Sequence, residues 1–337
     1  MDTVRHEVVD GVGRLVLDRP AALNALDLDM IREMTRVLDG WRDDPEVRTV
    51  LVAGGSPRAF CAGGDIRAAR AASLAGDEEN VAEFFRAEYA LNGLIAEYPK
   101  PYVALLDGIA MGGGLGISAH GSIRVVTERS RLAMPETGIG FFPDVGSTYF
   151  LPRLRGASGR HLGLTGVHIG AGAAVDTGLA THHVPAERLP DLVAALGTGT
   201  AAEVVAGFAT PPPVSELAPV AEAVDRCFAA DSVEEVVARL EAEAGPHQEW
   251  ARATLATLAA MSPTSLHLAA GLFRRGAASS LRECLARELR VAAWAAHSHD
   301  FHEGVRAQLV DKDRRPRWSP ATLAEVDTAL VTRVLDG

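Results

Sequence analysis

The sequence is poor in cysteine and lacks the common nucleotide-binding motifs. Its 337 residues include only three cysteines, Cys61, Cys227 and Cys284. They are too few and too widely spaced for a disulfide framework or a cysteine-based zinc site. This usage fits a reducing compartment, and the N-terminus has no apolar run that would predict a signal peptide, so we expect a cytoplasmic protein. Neither G-x-G-x-x-G nor Walker A is present, so no dinucleotide or nucleotide fingerprint exists.

Basic charge is also scarce, since 33 basic residues stand against 44 acidic ones and give a net charge of −11. A nucleic-acid-binding protein needs clustered Lys and Arg to neutralise phosphates, so we expect no nucleic-acid partner. A small anionic ligand is not excluded, because a local basic patch can oppose the net charge. The longest apolar stretch, 102–119, contains Asp107 and several glycines. It predicts a buried strand and turn, and we expect no membrane span.

Strand and helix patterns alternate over about the first 185 residues, which is typical of an α/β domain with largely parallel strands. The Asp10-Gly11 dipeptide favours a hairpin turn between the first two strands. Strands are predicted over 4–9, 12–18, 47–53, 102–106 and 123–127. Helices are predicted over 27–43, over 77–98 and from 115.

The composition divides the chain into three parts. Residues 1–196 form the predicted α/β core that carries the site. Residues 197–219 are rich in Gly, Thr, Pro and Ala and indicate a linker. From 220 to 337 the strand signals stop and Ala, Leu, Glu and Arg dominate, which predicts a helical C-terminal region.

Two glycine-rich junctions are candidates for binding a developing negative charge. Gly63-Gly64 precedes a helix-compatible segment, and Gly112–Gly114 stands between a strand and a helix. Backbone N–H groups at such junctions point outward at a positive helix end. Two of them could stabilise one oxyanion, although each junction taken alone is also typical of a tight turn.

Two carboxylates, Glu136 and Asp144, stand eight residues apart in an apolar segment rich in Gly and Pro. Neither has a basic neighbour within four residues. Desolvation tunes such carboxylates for general acid–base or nucleophilic chemistry. The alternatives are that Asp144 caps a helix beginning near Val145 and that Glu136 is a buried structural carboxylate.

Glu88 falls near the middle of the apolar stripe of the 77–98 helix. A charge in that position must face a partner or a site, and an ion pair with an arginine is the alternative.

His297, His299 and His302 are close in sequence, but we interpret them as surface or capping histidines and expect no metal site. The segment from Gly116 to His120 lacks the final glycine of a nucleophile elbow, so a serine hydrolase is disfavoured.

With these features in place, the sequence resembles the crotonase (enoyl-CoA hydratase/isomerase) superfamily and, within it, the 3-hydroxyisobutyryl-CoA hydrolase family. The resemblance covers nearly the whole chain. Its earlier segments are shared by most crotonases, whereas the middle and C-terminal segments are specific to the hydrolases. The matching segments are 19–26, 60–67, 84–92, 100–116, 134–154, 261–266 and 300–318.

The resemblance implies a crotonase-like spiral core of repeated ββα units with a helical C-terminal region. It implies that the Gly64 and Gly113 amides form an oxyanion hole and that Glu136 and Asp144 are catalytic. Glu88 matches a substrate-binding residue of the hydrolases.

Coenzyme A contacts are implied as well. Ala62 matches the position whose backbone meets the adenine of coenzyme A. Ala21 replaces a Lys that many relatives have near the CoA phosphate, so Arg19, Arg58 or Arg67 must provide that contact, and we select Arg67 for the substrate site.

Two departures from the family pattern bear on activity. Gly116 replaces the second catalytic Glu of the hydratases, which favours hydrolysis of the thioester over hydration. Ser147-Thr148 replaces a Gly-Gly pair that is frequent in the hydrolases, which would narrow the acyl pocket.

The resemblance therefore implies an acyl-CoA thioester hydrolase that releases free CoA and 3-hydroxyisobutyrate in valine catabolism. No cofactor is expected, because coenzyme A is part of the substrate. The acyl-CoA substrate is the expected partner, and a homo-oligomer, trimer or dimer, is implied by the family. Two alternatives remain open: an enoyl-CoA hydratase or isomerase on the same scaffold, and a non-catalytic acyl-CoA-binding paralogue.

Overall fold

The computed structural model describes residues 3–337 and, within them, two sheets. The larger sheet has six strands in the order β1-β2-β3-β5-β7-β9, and the smaller one has three in the order β4-β6-β8. The strands are β1 (Val4–Val9), β2 (Val12–Leu17), β3 (Thr49–Gly54), β4 (Ala59–Cys61), β5 (Tyr102–Leu106), β6 (Ile109–Met111), β7 (Ile123–Val126), β8 (Arg131–Ala133) and β9 (His182–His183).

Helices separate the consecutive strand pairs and make up the C-terminal part of the chain, and several 3₁₀ turns connect them. The helices are α1 (Leu28–Arg42), α2 (Ile66–Leu74), α3 (Glu78–Ala96), α4 (Gly113–Ala119), α5 (Ser147–Phe150), α6 (Ser158–Thr165), α7 (Ala171–Thr177), α8 (Leu189–Ala195), α9 (Ala201–Phe208), α10 (Ala221–Phe228), α11 (Val233–Ala242), α12 (Gln248–Ala260), α13 (Pro263–Gly276), α14 (Leu281–Ala295), α15 (His299–Val305) and α16 (Thr328–Asp336).

The first hairpin agrees with the sequence prediction. β1 and β2 pair antiparallel, whereas the pairs β2–β3, β3–β5, β5–β7 and β7–β9 are parallel. Asp10 and Gly11 both have positive φ, 53° and 80°. A two-residue turn with both central residues in this region matches the twist of the flanking strands.

The repeated ββα units implied by the resemblance are present. A strand of the large sheet, a strand of the small sheet and a helix follow one another as β3–β4–α2 and again as β5–β6–α4. β7 and β8 repeat the strand pair and lead into a 3₁₀ turn at Glu136–Ile139. The fold is therefore the α/β, crotonase-like one that the sequence predicts.

The chain divides into two compact units that interleave along the sequence. The first contains residues 3–64, 87–132 and 168–216, and the second contains 65–86, 133–167 and 217–337. This division differs from the three consecutive segments expected from composition. Contacts between residues distant in sequence define the units, and composition does not register such contacts.

Part of the segment expected to be a linker lies in the core of the first unit. α9 occupies residues 201–208, and its Ala201 and Val205 are buried with the large-sheet residues Leu51, Val103 and Val125. Ala201 and Val205 are one helical turn apart, so the same helix face carries both. Small and β-branched residues of the predicted linker instead cover the sheet.

The second unit is predominantly helical. From residue 220 onward the described residues form helices, 3₁₀ turns and one π-helical turn at Arg306–Val310, and no strand.

Phe141 stacks on Phe85 with ring centroids 5.3 Å apart and contacts Phe301 at 5.5 Å. Aromatic burial therefore connects three segments that are far apart in sequence.

Two observations concern the classes of protein considered above. Cys61, Cys227 and Cys284 are all buried and unpaired, as their spacing predicts. In the described part of the chain, no single helix has the length and apolar composition needed to cross a membrane. Only Gly245–Ala260 together with Pro263–Gly276, a pair bent by 109°, meets that requirement among these residues.

Candidate active site

Gly64 and Gly113 lie at strand–helix junctions, as predicted. Gly64 follows β4, and Leu26 pairs with it in a parallel bridge. Gly113 is the first residue of α4, and the first N–H groups of a helix have no acceptor within it. A β-carbon built on Gly113 would stand 3.2 Å from the Gly64 nitrogen. The structure therefore brings the two predicted amide donors of the first unit together.

Glu88 lies beside this pair of glycines. Its side chain comes from α3 and is only 2% exposed, as its place on the apolar stripe predicted. The Oε1 atom occupies the position that a β-carbon on Gly113 would need. Glu88 thus places a carboxyl group against the backbone of one predicted oxyanion donor.

Neither the Cys61 thiol nor the Ser118 hydroxyl, both close to these glycines in sequence, is set up as a nucleophile. Burial, opposed by a hydrogen bond with the Gly63 backbone and reinforced by the nearby Glu88 carboxyl, raises the pKa of the Cys61 thiol to about 12. Cys61 is therefore protonated at neutral pH and is a weak nucleophile. The hydroxyl of Ser118 donates to the Gly114 carbonyl at 2.8 Å within α4.

Ala62 is half-buried, and its backbone N–H donates to the Leu23 carbonyl at 3.0 Å.

Glu136 lies in the second unit, at the start of the 3₁₀ turn, and is 7% exposed. Its carbonyl accepts a hydrogen bond from the Phe141 N–H at 3.0 Å. The next residue, Thr137, accepts from the Ser262 N–H at 3.0 Å, and its hydroxyl donates to the Leu164 carbonyl at 3.2 Å. Hydrogen bonds to two neighbouring segments thus fix the turn that carries this carboxylate.

Asp144 follows Glu136 on the same loop and is 5% exposed. The alternative that Asp144 caps a helix beginning near Val145 does not hold, because α5 begins at Ser147 and Gly146 is its N-cap residue. Val145 and Gly146 have φ angles of 55° and 80°, which no right-handed helix accepts. The backbone carbonyl of Asp144 accepts from the Ser147 N–H at 2.8 Å.

The structure also shows a buried carboxyl that the sequence reasoning missed. Glu288, on α14, is fully buried, and its carboxyl accepts hydrogen bonds from the backbone N–H groups of Gly146 and Thr148 in the Asp144 loop. A signal was available, since Glu288 shares one helix face with the apolar residues Cys284 and Ala292. Glu288 could therefore have been identified from its place on a helix face in the same way as Glu88.

Two of the three arginines proposed for the CoA phosphate, Arg67 and Arg19, have partners within the chain. Arg67 is exposed, and its guanidinium donates to the Leu309 carbonyl. Arg19 donates to the Ala25 carbonyl at 3.0 Å and lies 3.6 Å from the Asp27 carboxylate. A phosphate contact by either arginine would compete with these interactions.

Two of the three C-terminal histidines share a partner, and the third has its own. His297 Nδ1 lies 2.8 Å and His302 Nε2 lies 2.9 Å from the Ser73 hydroxyl. His299 Nδ1 lies 3.1 Å from the Asp300 carboxylate. Among residues 3–337, no group of three or more His, Cys, Asp or Glu side chains has an arrangement that could hold a metal ion.

Comparison with known proteins places the chain in a family. The model of the enoyl-CoA hydratase/isomerase family matches residues 12–335. The chain therefore belongs to the enoyl-CoA hydratase/isomerase family, the superfamily that the motifs indicated.

Curated relatives confirm the resemblance within that family. The chain is 44% identical to "3-hydroxyisobutyryl-CoA hydrolase, mitochondrial" from Danio rerio, over 98% of this chain and 88% of the relative. It is 42% identical to the protein of the same name from Homo sapiens, over 93% of this chain and 83% of the relative. The expectation of a cytoplasmic location is contradicted by these names, since both relatives are named as mitochondrial.

A solved structure supports the fold. The chain is similar, with a TM-score of 0.93 and 41% identity, to a carnitinyl-CoA dehydratase from Mycobacterium thermoresistibile. The similarity covers 99% of this chain and 96% of that one. That protein is named as a dehydratase, whereas the curated relatives are named as hydrolases.

Proposed function

We propose that this chain hydrolyses the thioester bond of 3-hydroxyisobutyryl-CoA and releases free CoA and 3-hydroxyisobutyrate. The observation that carries the proposal is the 42–44% identity to named hydrolases over at least 93% of the chain. Such similarity includes the segment with Glu136 and Asp144. Valine catabolism is the pathway that we propose for this reaction.

The amides of Gly64 and Gly113 would donate to the thioester oxygen as negative charge develops on it. Removing one donor of this kind typically raises the barrier by ~3–4 kcal/mol. The proximity of the two glycines supports this role. Glu88, packed against Gly113, would contact the acyl group, and the backbone of Ala62 and the Arg67 side chain would contact the CoA moiety.

Glu136 would act on the thioester carbonyl by one of two routes. As a nucleophile it would form an anhydride and expel CoA as the thiolate, and water would then hydrolyse the anhydride. As a general base it would take a proton from a water molecule that attacks the carbonyl directly. In both routes the departing thiolate gains a proton, and Asp144 would orient water, hold the 3-hydroxyl group or transfer that proton.

A hydratase or dehydratase is the second candidate, and the name of the similar solved structure favours it. Hydration needs two carboxylates on either side of one water molecule. In the family pattern the second carboxylate stands where this chain has Gly116. The absence of a side chain at that position supports hydrolysis.

The test of the site is free-thiol release from 3-hydroxyisobutyryl-CoA by Glu136→Gln and Asp144→Asn. We expect each variant to lower kcat by about 10²–10⁴-fold, the usual contribution of a positioned acid or base. Glu97→Gln, which changes an exposed carboxylate, is the matched control and should keep the wild-type rate. Full activity in both site variants would refute the assignment, and tight CoA-ester binding without turnover in the wild type would favour a non-catalytic paralogue.

A homo-oligomer, trimer or dimer, also belongs to the proposal. It rests on the resemblance to crotonases alone. Sedimentation velocity of the full chain tests it, and a single monomeric species at micromolar concentration would contradict it.

A further inference from the structure

Glu288 connects α14 to the loop that follows Asp144 by three hydrogen bonds. Its Oε2 atom accepts from the Gly146 N–H at 2.7 Å. Its Oε1 atom accepts from the Thr148 N–H at 3.1 Å and from the Thr148 hydroxyl at 2.5 Å. The carboxyl is fully buried, so water does not compete for these bonds. A helix residue 142 positions away in sequence thus holds both ends of the Gly146–Thr148 turn.

The backbone held in this way is unusual. Val145, which follows Asp144 directly, has a φ of 55°, and Gly146 has a φ of 80°. A β-branched residue in the left-handed region persists only where surrounding contacts impose that conformation. The bonds from Glu288 to Gly146 and Thr148 are such contacts, and they act immediately after the residue that carries the Asp144 carboxylate.

The two carboxyl groups are also close enough to interact electrostatically. Burial, opposed by the hydrogen bonds from Thr148 and Gly146 and reinforced by the charge of Asp144, raises the pKa of Glu288 to about 8. The Asp144 carboxylate and Glu288 therefore interact through space as well as through the loop backbone.

We propose that Glu288 is a positioning residue of the hydrolase, which fixes the Asp144 loop in its reactive conformation through Gly146 and Thr148. The proposal rests on the proposed catalytic role of Asp144. Its effect would be on the rate of the chemical step, because the fully buried Glu288 carboxyl acts on the loop that carries a reacting group.

The test compares Glu288→Gln, Thr148→Val and Thr148→Ser by steady-state thiol release from 3-hydroxyisobutyryl-CoA. Gln preserves shape but replaces one acceptor oxygen with an NH₂ group that cannot accept from a backbone N–H. We expect kcat to fall by up to about 100-fold with KM changed less than about twofold, as for a misplaced catalytic group. Thr148→Val removes one donor and should give a smaller loss of kcat, whereas Thr148→Ser keeps the hydroxyl and should keep the rate.

The control for a purely structural effect is Ser280→Ala, which removes the exposed N-cap of the same helix. It should lower the melting temperature while kcat and KM stay at wild-type values. An equal loss of kcat in Ser280→Ala and Glu288→Gln at matched loss of melting temperature would overturn the proposal. So would wild-type kinetics in both Glu288→Gln and Thr148→Val, and if Glu288→Gln does not fold, Thr148→Val decides alone.

The Asp144→Asn variant separates this inference from the proposed function. If Asp144→Asn is inactive while Glu288→Gln and Thr148→Val are normal, only the positioning role fails. If Asp144→Asn retains full kcat, the proposed role of Asp144 fails and the inference about Glu288 fails with it.

Discussion

The carboxyl group of Glu88 occupies the space that a side chain at Gly113 would need. A β-carbon on Gly113 would overlap Glu88 Oε1 and would stand 3.2 Å from the backbone nitrogen of Gly64. Gly113 does not have a left-handed φ, so the restriction is one of space. The Glu88 carboxyl and the backbone of Gly64 and Gly113 therefore pack closely together in the first unit and leave no room for a side chain at Gly113.

We predict that Gly113→Ala lowers the rate of free CoA release by about 10²–10³-fold, comparable with the loss of one oxyanion donor. The methyl group can fit only if the Glu88 carboxyl or the Gly64 backbone moves. Steady-state thiol release measures the effect. Gly207→Ala is the matched control, because no atom beyond the local backbone of its own helix lies within 4 Å of its β-carbon position. A Gly113→Ala enzyme with the wild-type rate would contradict the oxyanion assignment.

A second glycine, Gly140, tests the packing of the loop between Glu136 and Asp144. Its φ is +73°, and a β-carbon there would overlap the carbonyl of Asp300. We predict that Gly140→Ala destabilises the fold by about 1–3 kcal/mol or more, since overpacking and backbone strain act together. Urea unfolding followed by circular dichroism measures this change.

Gly40→Ala is the control for Gly140→Ala, because Gly40 lies inside α1 with no atom within 4 Å of its β-carbon position. Alanine in a helix interior should stabilise the fold by about 0.5–1 kcal/mol. If both substitutions change the free energy of unfolding in the same direction, the close approach of Gly140 to Asp300 does not limit which residue fits at position 140.

His161 predicts a defined dependence of stability on pH. It is 3% exposed and packs edge-on against Phe228, and burial lowers its pKa to about 4. The unfolded chain binds a proton near pH 6.5, whereas the folded chain does not until about pH 4. The unfolded state therefore carries more protons between these values, and stability must fall as pH decreases from about 6.5 to 4.

His161→Leu should remove this contribution. Relative to the variant, the wild type should lose up to about 3 kcal/mol of unfolding free energy between pH 7.5 and pH 4. Urea titrations of both proteins at the two pH values measure the difference. His168→Gln, at an exposed histidine, should leave the pH dependence unchanged. A His161→Leu protein with the same pH dependence as the wild type would show that folding does not change the pKa of His161 and would contradict the prediction.

The local parts of the fold could be predicted from the sequence. The Asp10-Gly11 hairpin and α1 follow from turn chemistry and helical periodicity, which act over a few residues. Asp27 caps α1 by accepting from the Met30 N–H at 2.9 Å. The burial of Glu88 could be predicted for the same reason, since its position on the helix face depends only on spacing.

The parts that were missed depend on contacts between distant residues. The sequence predicts a linker where α9 lies, because the small residues of this helix acquire a buried face only when they pack against the large sheet. The alternative of a helix cap at Asp144 fails because Val145 is held in the left-handed region, an arrangement that sequence spacing does not indicate. Glu288 reaches Gly146 across 142 residues, so only the tertiary structure shows what its carboxyl contacts.

The central claim is that this chain breaks a thioester bond and does not add water to a double bond. The most direct measurement incubates the wild-type protein with 3-hydroxyisobutyryl-CoA and, in parallel, with crotonyl-CoA, and records free thiol together with the absorbance of the enoyl thioester. We predict rapid thiol release from 3-hydroxyisobutyryl-CoA and no loss of the enoyl chromophore from crotonyl-CoA. Loss of the chromophore from crotonyl-CoA, without free thiol from either substrate, would contradict the account and would indicate a hydratase.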